Sequence, residues 1–334
     1  MINTGSNPNL ERLSHAKMNA KTGICSWFMF MLSFPRTQPL STAQTFTQWS
    51  ALFAYCGGGF SLLVCPQLWE VILQLESSGR SEGYLRLTGL GVLGIGFIFV
   101  IFARSNLQGP SHVTILGSIV GRLLYVNGIL LMMILRKMIP VSFALVFMIL
   151  DSSLALITLV IWCHETEGAS LSLFIQEVFL PILKCRGATS GSSIAVIFFV
   201  GIFQLFFWLI FVIRPDIAHS IFQLDQFQGS SNGYLASSFF TTSILGWYHV
   251  INATAVNYPF VPAALFYRLS LNIPALVILV SLDQIERNLF MVVFGCEICV
   301  SVILLVFEIS SKKCLKTDES DSEQKMMLTS TDKE

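Results

Sequence analysis

Residues 194–213 read IAVIFFVGIFQLFFWLIFVI, a run without a single charged residue. A helix of about 20 residues crosses the hydrocarbon core of a bilayer, because each residue advances it by about 1.5 Å. Similar runs recur along the 334 residues, of which 54% are hydrophobic and 12% are charged. Soluble domains carry roughly 25% charged residues. The sequence therefore predicts a multi-pass membrane protein and excludes a soluble globular enzyme.

The apolar runs predict an all-α polytopic fold of about eight transmembrane helices. They cover residues 49–64, 84–103, 113–135, 140–162, 194–213, 234–255, 260–282 and 289–309. The sixth run is rich in Ser, Thr and Asn, so we expect it to pack inside the bundle rather than face lipid.

Three segments lie outside these spans. Residues 1–44 form an N-terminal tail whose apolar part, 24–34, is too short to span and is predicted to lie in the interface. The linker 163–193 has apolar residues near helical spacing, which favours an interfacial helix. Residues 310–334 mix acids, Lys, Ser and Thr, and this composition predicts a disordered tail.

An ordered series of matches predicts an internal duplication. The matches are the Pro66 and Pro215 corners, the triplets Gly83-Tyr84-Leu85 and Gly233-Tyr234-Leu235, and Gly96 and Ala103 with Gly246 and Ala253. We therefore expect two four-helix halves, 45–162 and 194–309. An even number of spans in each half gives both halves the same orientation, as parallel repeats about an axis along the membrane normal.

Part of the first half also carries a family resemblance. The runs WSALF at 49–53, CPQLW at 65–69 and LRLTG at 85–89 resemble the small four-span membrane family of tumour-suppressor-inducible protein eleven. The proline corner is echoed at Pro215, whereas Arg86 is replaced by Ala236 in the second half. The resemblance implies a four-span unit in endomembranes and implies no activity.

Four charged residues lie well inside predicted spans, away from the span ends: Arg122, Asp151, Arg268 and Glu297. A charge at the bilayer centre costs at least ~2.5–3.5 kcal/mol, which makes each one a functional hypothesis. The midpoint of 122 and 151 falls at the turn 136–137, and the midpoint of 268 and 297 falls at the turn 282–283. The two members of each pair are thus equally far from their turn. We expect them to pair at matching depth.

Two interpretations of these pairs stay open. As structural pins, each Arg and carboxylate would set helix register and lower the desolvation cost of either charge alone. As a proton or ion relay, the carboxylate would titrate when a substrate arrives. One balanced pair in each half favours the pins.

Five polar side chains would extend a cluster around the pairs or line a cavity: Tyr125, Asn127, His249, Tyr267 and Asn272. A buried Asn equally serves as a hydrogen-bonding link between helices. His249 can carry protons near neutral pH, and its counterpart in the first half is Phe99.

Cysteines near the predicted cytoplasmic face, Cys163, Cys185 and Cys314, are candidates for palmitoylation. The pair Cys296 and Cys299 has redox-motif spacing but lies within an apolar span, which favours simple packing. We expect no metal or other cofactor. Because Lys+Arg and Asp+Glu both number 20, we expect no nucleic-acid partner either.

No catalytic sequence motif is present, so the sequence predicts an integral membrane protein that is not an enzyme. The balance of Lys and Arg between the two sides, ten against six, predicts that both termini face the cytoplasm; endomembrane and plasma membrane are both left open. Two functions remain. One is a carrier or channel-like protein for a small solute or lipid, with a polar site between the halves. The other is a membrane scaffold or lipid-organising protein whose ion pairs are structural.

Overall fold

The computed structural model describes residues 40–76, 80–104, 112–189, 192–256 and 260–331, with side chains described up to residue 310. The predicted interfacial segment 24–34 lies outside these residues. The helices are α1 (Thr42–Val64), α2 (Pro66–Leu73), α3 (Ser81–Arg104), α4 (Val113–Leu135), α5 (Val141–Glu165), α6 (Leu171–Leu183), α7 (Arg186–Thr189), α8 (Ser193–Ile213), α9 (Pro215–Phe222), α10 (Ser231–Thr254), α11 (Phe260–Ser281) and α12 (Arg287–Thr331).

Six of these helices are long and apolar enough to cross a membrane, namely α3, α4, α5, α8, α11 and the first part of α12, Arg287–Ser310. Helix α1 joins α2 at a bend of 101°, and the pair counts as a seventh span if it is taken as one broken helix. Helix α10 has 24 residues but is not among the apolar six. Its Ser, Thr and Asn content lowers its hydropathy, so an eighth span stays a prediction.

The centre of the bundle is formed by α3 and α10, which pack against each other. Nearly every residue of α10 is buried, including its hydroxyl-bearing ones. Helix α1 packs on α3 and α5, while α8 packs on α10 and α12. In the outer helices α5 and α12, only 22% and 28% of the apolar 18-residue stretch that qualifies each helix as a span is buried inside the protein. The polar residues of α10 are thus buried in the interior, while the outer helices expose apolar residues, as expected for helices that face lipid.

Glycines allow the central helices to approach closely. A Cβ at Gly59 of α1 would lie 2.4 Å from the backbone nitrogen of Leu93, and one at Gly246 of α10 would lie 2.5 Å from that of Leu205. Small residues at such crossings are how membrane helices gain van der Waals contact.

Contacts at the two ends of the bundle show which helix ends and loops lie next to each other. The backbone nitrogen of Thr42 donates to Glu165 Oε1 at 2.6 Å, so α1 begins where α5 ends. At the opposite end, Arg80 lies 3.1 Å from both Asp225 and Asp283. Burial alone would lower the pKa of Arg80, but the hydrogen bonds and charges of these two carboxylates raise it above its usual value. This ion triad joins three loops of the chain.

Two segments next to the spans are helical. In the linker, α6 starts after Ser170, whose side chain accepts from the backbone nitrogen of Leu173, and α6 packs against α4. The backbone of α12 continues to Thr331, where the composition predicts a disordered tail. Low hydrophobicity predicts the absence of a packed core, and this does not prevent a helical backbone. Residues 311–331 contain neither Pro nor Gly and place Asp321 four residues before Lys325.

Candidate intramembrane polar site

The first charged cluster is built around Arg122 of α4, which is 1% exposed. Its Nε lies 4.0 Å from Asp151 Oδ1 on α5, and the Tyr55 hydroxyl of α1 donates to that same oxygen. The guanidinium carbon lies 4.3 Å from the ring centroid of Phe99 and 5.2 Å from that of Tyr55. None of the three nitrogens of Arg122 has a hydrogen-bond partner among the described residues. Arg122 is therefore held by one opposite charge and by aromatic faces.

The second cluster is built around Arg268 of α11, which is 2% exposed. Its NH1 donates to Glu297 Oε2 on α12. Its NH2 donates to Gln204 Oε1 of α8 at 3.1 Å and lies 3.3 Å from His249 Nε2 of α10. Arg268 therefore has one charged and two neutral acceptors, which is the chemical difference between the two clusters.

The hydrogen bonds of His249 define its tautomer. Its Nδ1 lies 2.5 Å from the carbonyl oxygen of Leu245, and a carbonyl can only accept, so Nδ1 carries the proton. Nε2 is then a lone pair that accepts from Arg268. In this arrangement His249 is a neutral acceptor. A second proton on the ring would face the guanidinium of Arg268.

Three helices contain a π-helical stretch at these clusters. The stretches are Ala51–Gly57 in α1, Gly121–Val126 in α4 and Arg268–Asn272 in α11. They hold Tyr55, Arg122 and Arg268, respectively. A π turn adds a residue within a helix and is frequent at functional sites. Here it coincides with the turns that place polar side chains in the bundle interior.

A cavity of about 40 Å³ lies beside the second cluster, large enough for a few water molecules. It is bordered by α3 from the N-terminal part of the chain and by α8, α10, α11 and α12 from the C-terminal part. Its polar lining residues are Ser238, Thr242, Tyr267, Asn272 and Glu297. Neither Arg122 nor Asp151 lines it. The cavity thus reaches one of the two charged pairs.

The polar groups around this cavity are mostly acceptors. The hydroxyls of Ser238 and Thr242 donate to the backbone carbonyls of Leu235 and Ser238, which leaves their lone pairs free. Asn272 is 7% exposed, and its side-chain amide makes no hydrogen bond to any residue that the structure describes. Because Asn272 lines the cavity, a solute or water there can complete its hydrogen bonds.

The remaining predicted side chains fall into two groups, one beside the second charged pair and one that links helices. Tyr267 lines the cavity, and its hydroxyl donates to the carbonyl of Leu90 at 3.4 Å. Asn127 donates to Ser152 Oγ at 2.8 Å and so links α4 to α5. Tyr125 shares a 2.6 Å hydrogen bond with Ser243 of α10. His249, Tyr267 and Asn272 therefore surround the Arg268–Glu297 pair, while Asn127 and Tyr125 make links between helices.

Sequence reasoning missed Tyr55 and Gln204, the residues that contact the charged pairs from α1 and α8. A signal for both was present, since each lies eleven residues before a proline corner, Pro66 and Pro215 respectively. It also missed Ser238 and Thr242, because many Ser and Thr residues in α10 have similar sequence surroundings. Only the packing of α10 decides which of them faces the cavity.

Two of the cysteine candidates, Cys163 and Cys185, are exposed near the ends of α5 and α6. Cys314 lies in the part of α12 whose side chains are not described. Within the described residues, no three His, Cys, Asp or Glu side chains are grouped so that they could hold a metal ion.

The geometry of the two charged clusters and of the cavity is the basis for inferring a function. The chain matches no protein-family model, no curated protein and no solved structure.

Proposed function

We propose that this chain is a proton-linked carrier for a small solute, with its binding site in the cavity beside Glu297. The observation that carries the proposal is a cavity with several polar lining residues that reaches a carboxylate in the interior of a membrane-spanning helix. Ionisable residues at this depth are expensive and typically belong to substrate or ion pathways.

The proposal includes two parallel four-helix halves, with α1 and α10 among eight spans. Equivalent positions in the clusters support the duplication. Tyr55 and Gln204 precede the two proline corners by the same distance, and each contacts the charged pair of its own half. Phe99 lies over Arg122 where His249 lies against Arg268. The cavity is then bordered by both halves, as expected of a site between repeats.

Glu297 is the better candidate for a ligand-binding carboxylate than Asp151, because Glu297 borders the cavity and Asp151 does not. When Glu297 takes a proton or a cation, Arg268 keeps the acceptors Gln204 and His249. When Asp151 is neutralised, Arg122 has only aromatic rings beside it. A buried charge without a compensating partner costs several kcal/mol. In the second cluster Arg268 therefore keeps hydrogen-bond acceptors when the charge of Glu297 is neutralised, whereas Arg122 in the first cluster has none among the described residues.

The alternative function, a non-transporting scaffold, is favoured by the first cluster. Asp151 is occupied by Tyr55, and Arg122 is closed in by two rings, so this pair acts as a pin between α1, α4 and α5. In a scaffold the second pair would have the same role, and the cavity would hold only water.

Flux through purified protein in liposomes separates the two functions. With a pH dye inside and an imposed solute gradient, we expect the wild-type protein to move protons and Glu297→Gln to abolish this flux while the protein stays folded. Asp151→Asn serves as the matched control, and its flux should follow the amount of folded protein. A folded wild-type protein that moves neither protons nor any tested solute would leave the scaffold as the function.

A further inference from the structure

We infer that the solute is a small ammonium-type cation, ammonium or methylammonium, bound between Glu297 and the acceptors of α10. This inference rests on the proposed carrier function and names the chemical class of its substrate. It depends on the polarity of the cavity lining, on its aromatic walls and on its size.

The polar lining matches a donor-rich ligand. Glu297 offers a carboxylate whose Oε2 is engaged by Arg268, while Oε1 receives no hydrogen bond from the described residues. The lone pairs of Ser238 and Thr242 are left over because both hydroxyl protons bind backbone carbonyls. Asn272 adds an amide oxygen without a partner among the described residues. An ammonium group has three or four N–H donors and no acceptor, so it complements these oxygens.

The apolar lining also suits a cation. Trp208 and Phe239 are stacked with ring centroids 5.2 Å apart, and both line the cavity together with Tyr267. Aromatic faces attract ammonium groups through the ring quadrupole, most strongly where water is excluded. An anion would meet the same rings and acceptors unfavourably.

The size and charge of the site limit the ligand further. About 40 Å³ admits a group of a few heavy atoms, which is the size of an ammonium group with a small substituent. The charge stays constant if binding is an exchange, in which the protonated Glu297 carboxyl releases its proton as the ammonium ion forms an ion pair with the carboxylate. Arg268 remains bound to Gln204 and His249 throughout. This exchange makes proton movement and cation movement opposite in direction.

Binding is testable without transport, on the purified full-length protein in detergent. The probe is methylammonium chloride. The midpoint temperature of thermal unfolding is recorded against methylammonium concentration, with sodium chloride added to keep the ionic strength constant. Tetramethylammonium, which has the same charge but no N–H donor, is the ligand control. We expect a saturable increase in the midpoint with methylammonium and none with tetramethylammonium.

Three variants test where the ligand binds. Glu297→Gln should raise the apparent Kd for methylammonium at least tenfold. Thr242→Val should raise it about fivefold, which corresponds to the loss of one hydrogen bond. Thr241→Val is the matched control, because Thr241 also donates to the Ser238 carbonyl but does not line the cavity. Its Kd should change less than about twofold.

The outcomes distinguish the inference from the proposed function. No stabilisation by methylammonium, or equal effects of Thr242→Val and Thr241→Val, overturns the inference. If another solute then drives proton flux that depends on Glu297, the carrier function stands without it. Saturable binding that depends on Glu297 and Thr242 supports the site even where liposomes show no flux, and that combination overturns the carrier.

Discussion

Neutralising the two buried carboxylates should have unequal effects on stability. The changes are Asp151→Asn and Glu297→Gln, which preserve shape and an accepting oxygen while removing the charge. Asp151 lies 4.0 Å from Arg122, and the other neighbours of that guanidinium are aromatic rings. At the effective dielectric constant of about 20 that suits buried sites, losing this attraction costs about 4 kcal/mol.

The corresponding cost at Glu297 is smaller. Arg268 is also bound by the dipoles of Gln204 and His249, and the cavity beside Glu297 has room for water. These two acceptors remain hydrogen-bonded to Arg268 in Glu297→Gln and offset part of the lost attraction, each hydrogen bond to a charged group being worth about 1.5–3 kcal/mol. We therefore expect Asp151→Asn to lower the free energy of unfolding more than Glu297→Gln does.

Chemical unfolding in mixed micelles, followed by circular dichroism, measures both values. The control is the double variant Arg122→Leu with Asp151→Leu, which removes both charges and should recover much of the stability lost in Asp151→Asn. Equal decreases in the free energy of unfolding for the two variants, or a larger decrease in Glu297→Gln, would refute the reasoning that the neutral acceptors of Arg268 compensate for the lost charge of Glu297. A double variant as unstable as the single one would show that Arg122 and Asp151 do not interact.

Three further predictions concern packing, topology and modification. Gly59→Ala should destabilise the protein by about 2 kcal/mol, because its Cβ would lie 2.4 Å from the Leu93 backbone nitrogen, whereas Gly58→Ala, with no atom within 4 Å, should leave thermal stability unchanged or slightly raised; equal effects would contradict the crossing of α1 and α3. Tags at both termini should be digested by protease added to the cytoplasmic side of sealed vesicles; protection of both would reverse the orientation, and protection of one would exclude eight spans. Acyl-exchange labelling of cellular protein should fall when the exposed Cys163 and Cys185 are both changed to Ser; undiminished labelling would exclude these two sites.

Much of the architecture follows from local properties of the sequence. Hydropathy depends only on neighbouring residues, so the six apolar helices could be located from composition and length. Residues equally distant from a hairpin turn lie at the same height in antiparallel helices. For that reason counting alone was enough to expect Arg122 opposite Asp151 and Arg268 opposite Glu297, and the structure places each pair in contact.

Only the tertiary structure decides what surrounds each pair. The Tyr55 hydroxyl on Asp151 and the Gln204 amide on Arg268 come from helices that lie 96 and 64 residues away in the sequence. Which side chains of a fully buried helix such as α10 border the cavity depends on helix rotation. That rotation is set by close packing at glycines such as Gly246, whose Cβ would lie 2.5 Å from the backbone of α8. Hydrophobic periodicity carries no information about rotation when every face of a helix is buried, and this is why the acceptor-lined cavity could not be read from the sequence.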